Sequence, residues 1–163
     1  MNRREAIKTG VAAAAAVPFL GAATWKPAVF TAQQNATVIA LIDLIIPATD
    51  TPGAKAALVN RYIDLLLHEG PASERERFLS GLKLLDEESV RREKAPFVKL
   101  SPAKQTALLE SLEAEGKGDG HAFFRMAKSM TSRIYFETEA GFKELNKRGV
   151  PKTWACTHPG HHQ

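Results

Sequence analysis

The sequence HAFFRMAKSMTSRIYF, residues 121–136, holds the densest group of large apolar and aromatic side chains in the chain. These side chains recur at intervals of three and four residues, which is the period of an α-helix with a buried face. They are Phe123, Phe124, Met126, Met130, Ile134, Tyr135 and Phe136. We therefore predict a helix here, at the centre of a helical bundle. The aromatic side chains extend further round it than one buried stripe requires, so either part of this surface contacts another subunit or all of it is core.

Two further helices are predicted upstream, on either side of a turn. Thr31 with Gln34 has the pattern of a capping box, and the first helix then runs to Pro47. Its apolar stripe consists of Val38, Leu41, Ile42, Ile45 and Ile46. The segment PATDTPG, residues 47–53, is rich in turn formers and ends it. A second helix then ends at Gly70 and is outlined by Leu58, Tyr62, Leu65 and Leu66.

The remaining pattern is also helical. Ser73 with Glu76 predicts the start of a third helix with a charged, solvated end at 86–94, and Ser101 with Gln105 predicts a capping box before a fourth. A short amphipathic piece follows around 140–145. No stretch alternates long enough to indicate a strand. We predict an all-α domain over residues 31–148, a small orthogonal or irregular bundle of about five to six helices.

Residues 1–30 have the pattern of a twin-arginine signal. Arg3 and Arg4 precede the apolar stretch TGVAAAAAVPFLGAA at 9–23, which is too short to serve as a firm anchor across roughly 30 Å of hydrocarbon. An amphipathic cytosolic helix is the alternative, but residues 11–20 include no polar side chain. We expect export to the periplasm, and whether the signal is removed near Ala22 and Ala23 stays open.

The formal net charge of +4 overstates how basic the domain is. Four of the 22 basic and one of the 18 acidic residues lie in the first thirty positions, which leaves a net charge of +1 for the rest. This balance argues against a nucleic-acid-binding function. The remaining length is enough for one domain.

Residues 149–163 form a predicted extended tail that carries Trp154 and the only cysteine, Cys156. An exported chain with one cysteine either forms an intermolecular disulfide or buries a free thiol at a contact. Three tail histidines, His158, His161 and His162, could bind a metal together with Cys156. This alternative is weaker, because four ligands within seven residues do not easily form a closed tetrahedral site.

Motifs of a catalytic centre are not found in the sequence. It has no glycine-rich dinucleotide or phosphate loop and no nucleophile elbow. Asp43, Asp64 and His68 are predicted to be surface or capping residues. The sequence thus predicts an exported helical domain without chemistry of its own.

Several segments resemble the gluconate 2-dehydrogenase subunit 3 (gamma, small subunit) family of membrane-associated dehydrogenase complexes. The resemblance covers nearly the whole chain after the leader, in the same order. Its segments are LIDLIIPATDTPGA from Leu41, FLSGLKLLDEES from Phe78, LSPAKQTALLESLE from Leu100, FFRMAKSMTSRIYFETEAGFKEL from Phe123, and the cysteine-containing end.

This resemblance implies a non-catalytic accessory role. The catalytic partner would be a large FAD-containing subunit of the glucose-methanol-choline type that oxidises a sugar, sugar acid or glucoside. A cytochrome c with haem c would pass the electrons on, and the small subunit would escort the folded flavoprotein through the twin-arginine translocase and stabilise it. The complex would lie in the periplasm, attached to the outer face of the inner membrane through its partners or an uncleaved leader.

We further hypothesise that the domain docks on the flavoprotein through the predicted fifth helix and the tail, which gives candidate contact residues. They are Phe123, Phe124, Tyr135, Phe136 and Trp154 for the partner interface, and Cys156 for an intersubunit disulfide. Two alternatives remain: an independent periplasmic enzyme or metal-binding protein that uses the Cys/His-rich end, and a membrane-surface scaffold with an uncleaved leader.

Overall fold

The computed structural model describes residues 25–147, which form six α-helices and no strand. The helices are α1 (Ala32–Ile45), α2 (Val59–Glu69), α3 (Ala72–Glu93), α4 (Pro102–Ala114), α5 (Asp119–Glu137) and α6 (Glu139–Leu145), with one 3-10 turn at Phe97–Lys99. The predicted all-α class is confirmed. No helix within these described residues is both long and apolar enough to cross a membrane.

Helix α5 is the centre of the bundle, as its side chains predict. It contacts each of the other five α-helices. Its inward face buries eight residues, namely Gly120, Phe123, Phe124, Ala127, Met130, Thr131, Ile134 and Tyr135. Fully burying a side chain such as Phe or Leu contributes about 1.5–3 kcal/mol, so this one helix supplies a large share of the apolar driving force.

Helix α3 packs closely against α5 in the core. The Phe78 and Phe123 rings meet edge to face with centroids 5.6 Å apart, and the Phe30 and Phe78 ring centroids are 5.8 Å apart. Gly81 on α3 faces the Phe123 ring so closely that an added Cβ would lie only 2.8 Å from the Phe123 Cβ and would overlap the ring. The missing side chain at Gly81 is what lets the two helices pack at this separation.

Local helix signals are confirmed at some ends and wrong at others. Thr31 and Gln34 form the predicted capping box, with distances of 3.2 Å and 2.9 Å for the two bonds. The box predicted at Ser101 is wrong, because Gln105 is buried and its Nε2 donates to the Phe97 carbonyl at 2.8 Å. Helix α3 begins at Ala72, after Pro71, and has no side-chain cap, so Ser73 does not start it.

The apolar stripe that outlines α2 in the sequence faces outward. The side chains of Leu58, Tyr62, Leu65 and Leu66 are exposed, whereas Val59, Asn60, Ile63, Asp64 and Leu67 are buried. The sequence offers two overlapping apolar faces on this helix, and packing against the bundle selects the one centred on Ile63. The outward face is left without a partner in the domain.

We expect Gly81→Ala to destabilise the domain even though alanine is the better helix former. Alanine gains about 1 kcal/mol in helix propensity, but overpacking a core of this density costs about 1–3 kcal/mol, and the added methyl group would overlap the Phe123 ring. Urea unfolding should show a net loss of stability for Gly81→Ala. The exposed neighbour Ser80→Ala is the control and should be neutral or stabilising; a stabilised Gly81→Ala variant would contradict this view of the crossing.

Candidate docking surface

The loop between α1 and α2, residues 46–58, is folded back on itself. The Ala54 amide donates to the Ile46 carbonyl at 2.9 Å, and Gly53 lies so close to that carbonyl that an added Cβ would be 2.6 Å from its oxygen. Only glycine fits this approach. Leu58 then enters α2 with a left-handed φ of 57°, which turns its side chain outward at the helix start.

The first described residues are held against α2 by a buried carboxylate. Asp64 is 2% exposed and accepts three backbone hydrogen bonds, from the amides of Ala28 at 2.7 Å and of Val29 and Phe30 at 3.0 Å each. Bonds to an ionised acceptor are roughly twice as strong as neutral ones, so this group fixes the path of the chain into α1. The segment packs with Phe30 in the core.

Residues 28–30 therefore belong to the folded domain, although the sequence pattern places them at the end of the signal segment. Upstream of them, the Arg61 guanidinium lies over the Trp25 ring, with Arg61 Cζ 5.2 Å from the ring centroid. A cation over an indole face is attracted by the ring quadrupole. The folded domain thus extends beyond its predicted start at residue 31.

The last described residue is held by the same loop. Lys147 Nζ lies 2.8 Å from both carboxylate oxygens of Asp50 and 2.6 Å from Glu144, and Thr51 donates to Glu144. The hydrogen bonds from Lys147 lower the pKa of the Asp50 and Glu144 carboxyls, and those carboxylates raise the pKa of Lys147. At neutral pH all three groups are charged; as the pH falls through the lowered carboxyl pKa values, this anchor weakens.

Helix α5 is tied to the same loop from inside. The Tyr135 ring is buried, and its hydroxyl donates to the Pro52 carbonyl at 2.8 Å. The loop is therefore bonded to the central helix and to the end of the described chain, whereas the start of the described chain is held by α2. The first and last described residues both lie near this loop, since Trp25 lines a recess together with Gly53 and Lys147 binds Asp50.

A recess of about 670 Å³ opens between this loop and the neighbouring helices. Trp25, Ile39, Gly53, Leu58 and Arg61 are among the residues that line it. Leu58 also begins the exposed stripe on α2, so the recess and that stripe form one continuous surface. We call this surface, the recess together with Leu58, Tyr62, Leu65 and Leu66, the α2 face.

The predicted interface residues on α5 lie mostly in the core. Phe123, Phe124 and Tyr135 are no more than 6% exposed, so their side chains are not available to a partner at the surface of the domain. Phe136 is 39% exposed and remains accessible. The large aromatic count on this helix is explained by its central position, where several helices pack round it.

Other predicted site residues fall outside the described part of the chain. They are Arg3 and Arg4 of the signal, and Trp154, Cys156, His158, His161 and His162 of the tail. Within residues 25–147, no three His, Cys, Asp or Glu side chains come together as metal ligands would. Asp43 is half-exposed near Lys55 and His68 is exposed, but Asp64 is buried, which the sequence pattern did not indicate.

The comparison with known protein families gives a match. The protein-family model described as gluconate 2-dehydrogenase subunit 3 matches residues 32–160, from the first residue of α1 into the tail. The chain belongs to the gluconate 2-dehydrogenase subunit 3 family. No curated protein and no solved structure gives a significant match. As a member of this family the chain is a subunit of a dehydrogenase complex.

We expect Asp64→Asn to loosen the start of this subunit 3 domain. Asparagine keeps the shape but turns an NH₂ group towards backbone donors and removes the charge, which should cost about 2 kcal/mol in unfolding free energy. Amide hydrogen exchange at Val29 and Phe30 should become faster.

The matched control is Asp43→Asn on α1, where a half-exposed carboxylate lies 3.7 Å from Lys55. Surface pairs of this kind contribute little, so this variant should stay within about 0.5 kcal/mol of the parent chain. Equal effects of the two substitutions would show that the three bonds to Asp64 do not hold the segment.

Proposed function

We propose that this chain is the non-catalytic small subunit of a periplasmic FAD-dependent dehydrogenase complex. The family match over residues 32–160 carries the proposal. The complex oxidises the CH–OH group of a sugar, sugar acid or glucoside. Substrate and FAD bind to a large subunit of the glucose-methanol-choline type, and a cytochrome c with haem c accepts the electrons.

The small subunit has two tasks in this proposal, to escort the large subunit during export and to stabilise it afterwards. Flavin must be inserted before transport, because a flavoprotein folds round its cofactor in the cytoplasm. The twin-arginine pathway accepts folded cargo, so one signal on the small subunit serves both chains. The Asp64 contacts support this task, since they tie the segment after the signal directly to the folded domain.

The export proposal is tested with Arg3→Lys and Arg4→Lys together, in a cell that also produces the large flavoprotein subunit. Loss of the arginine pair should leave both subunits in the cytoplasm and reduce periplasmic dehydrogenase activity to background. Lys26→Arg, outside the pair, is the control and should export normally. Undiminished periplasmic activity in the double variant would contradict the escort role.

The second proposal concerns Cys156, the only cysteine in the chain. We propose that it forms a disulfide with the large subunit in the oxidising periplasm. Non-reducing gels of the purified complex should show one band at the summed mass of the two subunits, which separates on reduction. Cys156→Ser should remove that band, whereas a free thiol in the complex, or a band at twice the mass of the small subunit, would contradict the pairing.

A further inference from the structure

The α2 face has the side-chain spacing of a helix that binds in a groove. Leu58, Tyr62, Leu65 and Leu66 occupy positions i, i+4, i+7 and i+8, and each is 42–53% exposed. Helical segments that dock in apolar grooves use anchors with this spacing. Continuous apolar area at a protein surface is itself typical of an interaction site.

The surroundings of the stripe match the layout of an interface. Tyr62 stands near its middle, and tyrosine is one of the residues that most often dominate binding energy. Arg61, His68 and Glu69 are exposed beside it and supply a polar rim. Below Leu58 the surface continues into the recess next to Trp25, so the contact area is larger than the helix alone.

We infer that the α2 face docks in an apolar groove of the large dehydrogenase subunit. This inference rests on the proposed function and adds where the partner binds. It moves the predicted interface from α5, where Phe123, Phe124 and Tyr135 are buried, to α2, whose sequence stripe points away from the bundle.

The positions of the chain ends favour the large subunit as the occupant. Lys147 binds Asp50, and the four residues from Asp50 to Ala54 span at most about 14 Å. The Ala54 carbonyl in turn accepts a hydrogen bond of 3.1 Å from the amide of Val59, the first residue of α2. Nine residues from Lys147 to Cys156 can extend about 30 Å. A large subunit that binds the α2 face therefore lies within reach of Cys156.

A second exposed apolar set lies on α6, at Phe142 and Leu145. It has two exposed side chains, whereas the α2 face has four and continues into the recess. The segment before Trp25 also starts beside the α2 face, but its proposed role is at the translocase. This leaves the α2 face for the partner and makes α6 a matched control.

The test measures the affinity of the full chain for the FAD-loaded large subunit, in a Cys156→Ser background so that a disulfide cannot mask weak binding. Tyr62→Arg with Leu65→Arg should weaken binding at least about tenfold, the effect of losing about 1.4 kcal/mol at a central anchor. Phe142→Arg with Leu145→Arg should leave the affinity within about threefold. Both pairs alter exposed side chains, and thermal unfolding confirms that each variant is folded.

If the arginine pair on α2 lowers the melting temperature, Tyr62→Asn with Leu65→Asn replaces it and should still weaken binding. Unchanged affinity in a folded α2 variant, or loss of binding only in the α6 variant, overturns the inference while the proposed function stands. A small subunit that self-associates through the α2 face also overturns it. If the unaltered chain fails to bind the large subunit at all, both the inference and the proposed function fall.

Discussion

The close approach of α3 and α5 at Gly81 and Phe123 is the constraint on which the rest of the structure depends. It brings the Phe78 and Phe123 rings together edge to face, and Phe78 in turn contacts Phe30. Phe30 follows the two residues whose amides, like its own, bind Asp64 on α2. The start of the domain, α2 and the core are therefore joined through one run of buried contacts, and a change in the helix separation would be felt along all of it.

Sequence patterns predicted the elements that local chemistry determines. The capping box at Thr31 and the central position of α5 are examples, because a cap needs only neighbouring residues and a helix with apolar residues on several sides must be surrounded. Patterns did not predict which face of α2 is buried, since two apolar stripes overlap there and only packing distinguishes them. The hydrogen bonds to Asp64 join residues that are separated by 34 to 36 positions in the sequence, and the pair of Lys147 with Asp50 is separated by 97 positions. Helical periodicity does not connect residues so far apart. Gln105 was assigned to a cap because of its spacing, but the nearby Phe97 carbonyl offers it a buried partner.

The same contacts suit the proposed role of a small helical subunit that serves a larger enzyme. Its loop at residues 46–58 binds Lys147 through Asp50 and lines a recess together with Trp25, so the first and last described residues lie in one region of the domain. An apolar helix face lies next to that region and has no partner in the domain. In the proposed complex the small subunit thus contributes the export signal, the disulfide and the docking surface. The large flavoprotein subunit oxidises the substrate.

The most direct measurement of this division of labour is the absorption spectrum and sugar-dehydrogenase activity of two preparations, the small subunit purified alone and the complex purified through it. We predict that the chain alone shows neither flavin absorbance nor turnover, and that the complex shows both, with the flavin retained by the large subunit. Flavin absorbance and dehydrogenase activity in the isolated small subunit would contradict its role as an accessory subunit.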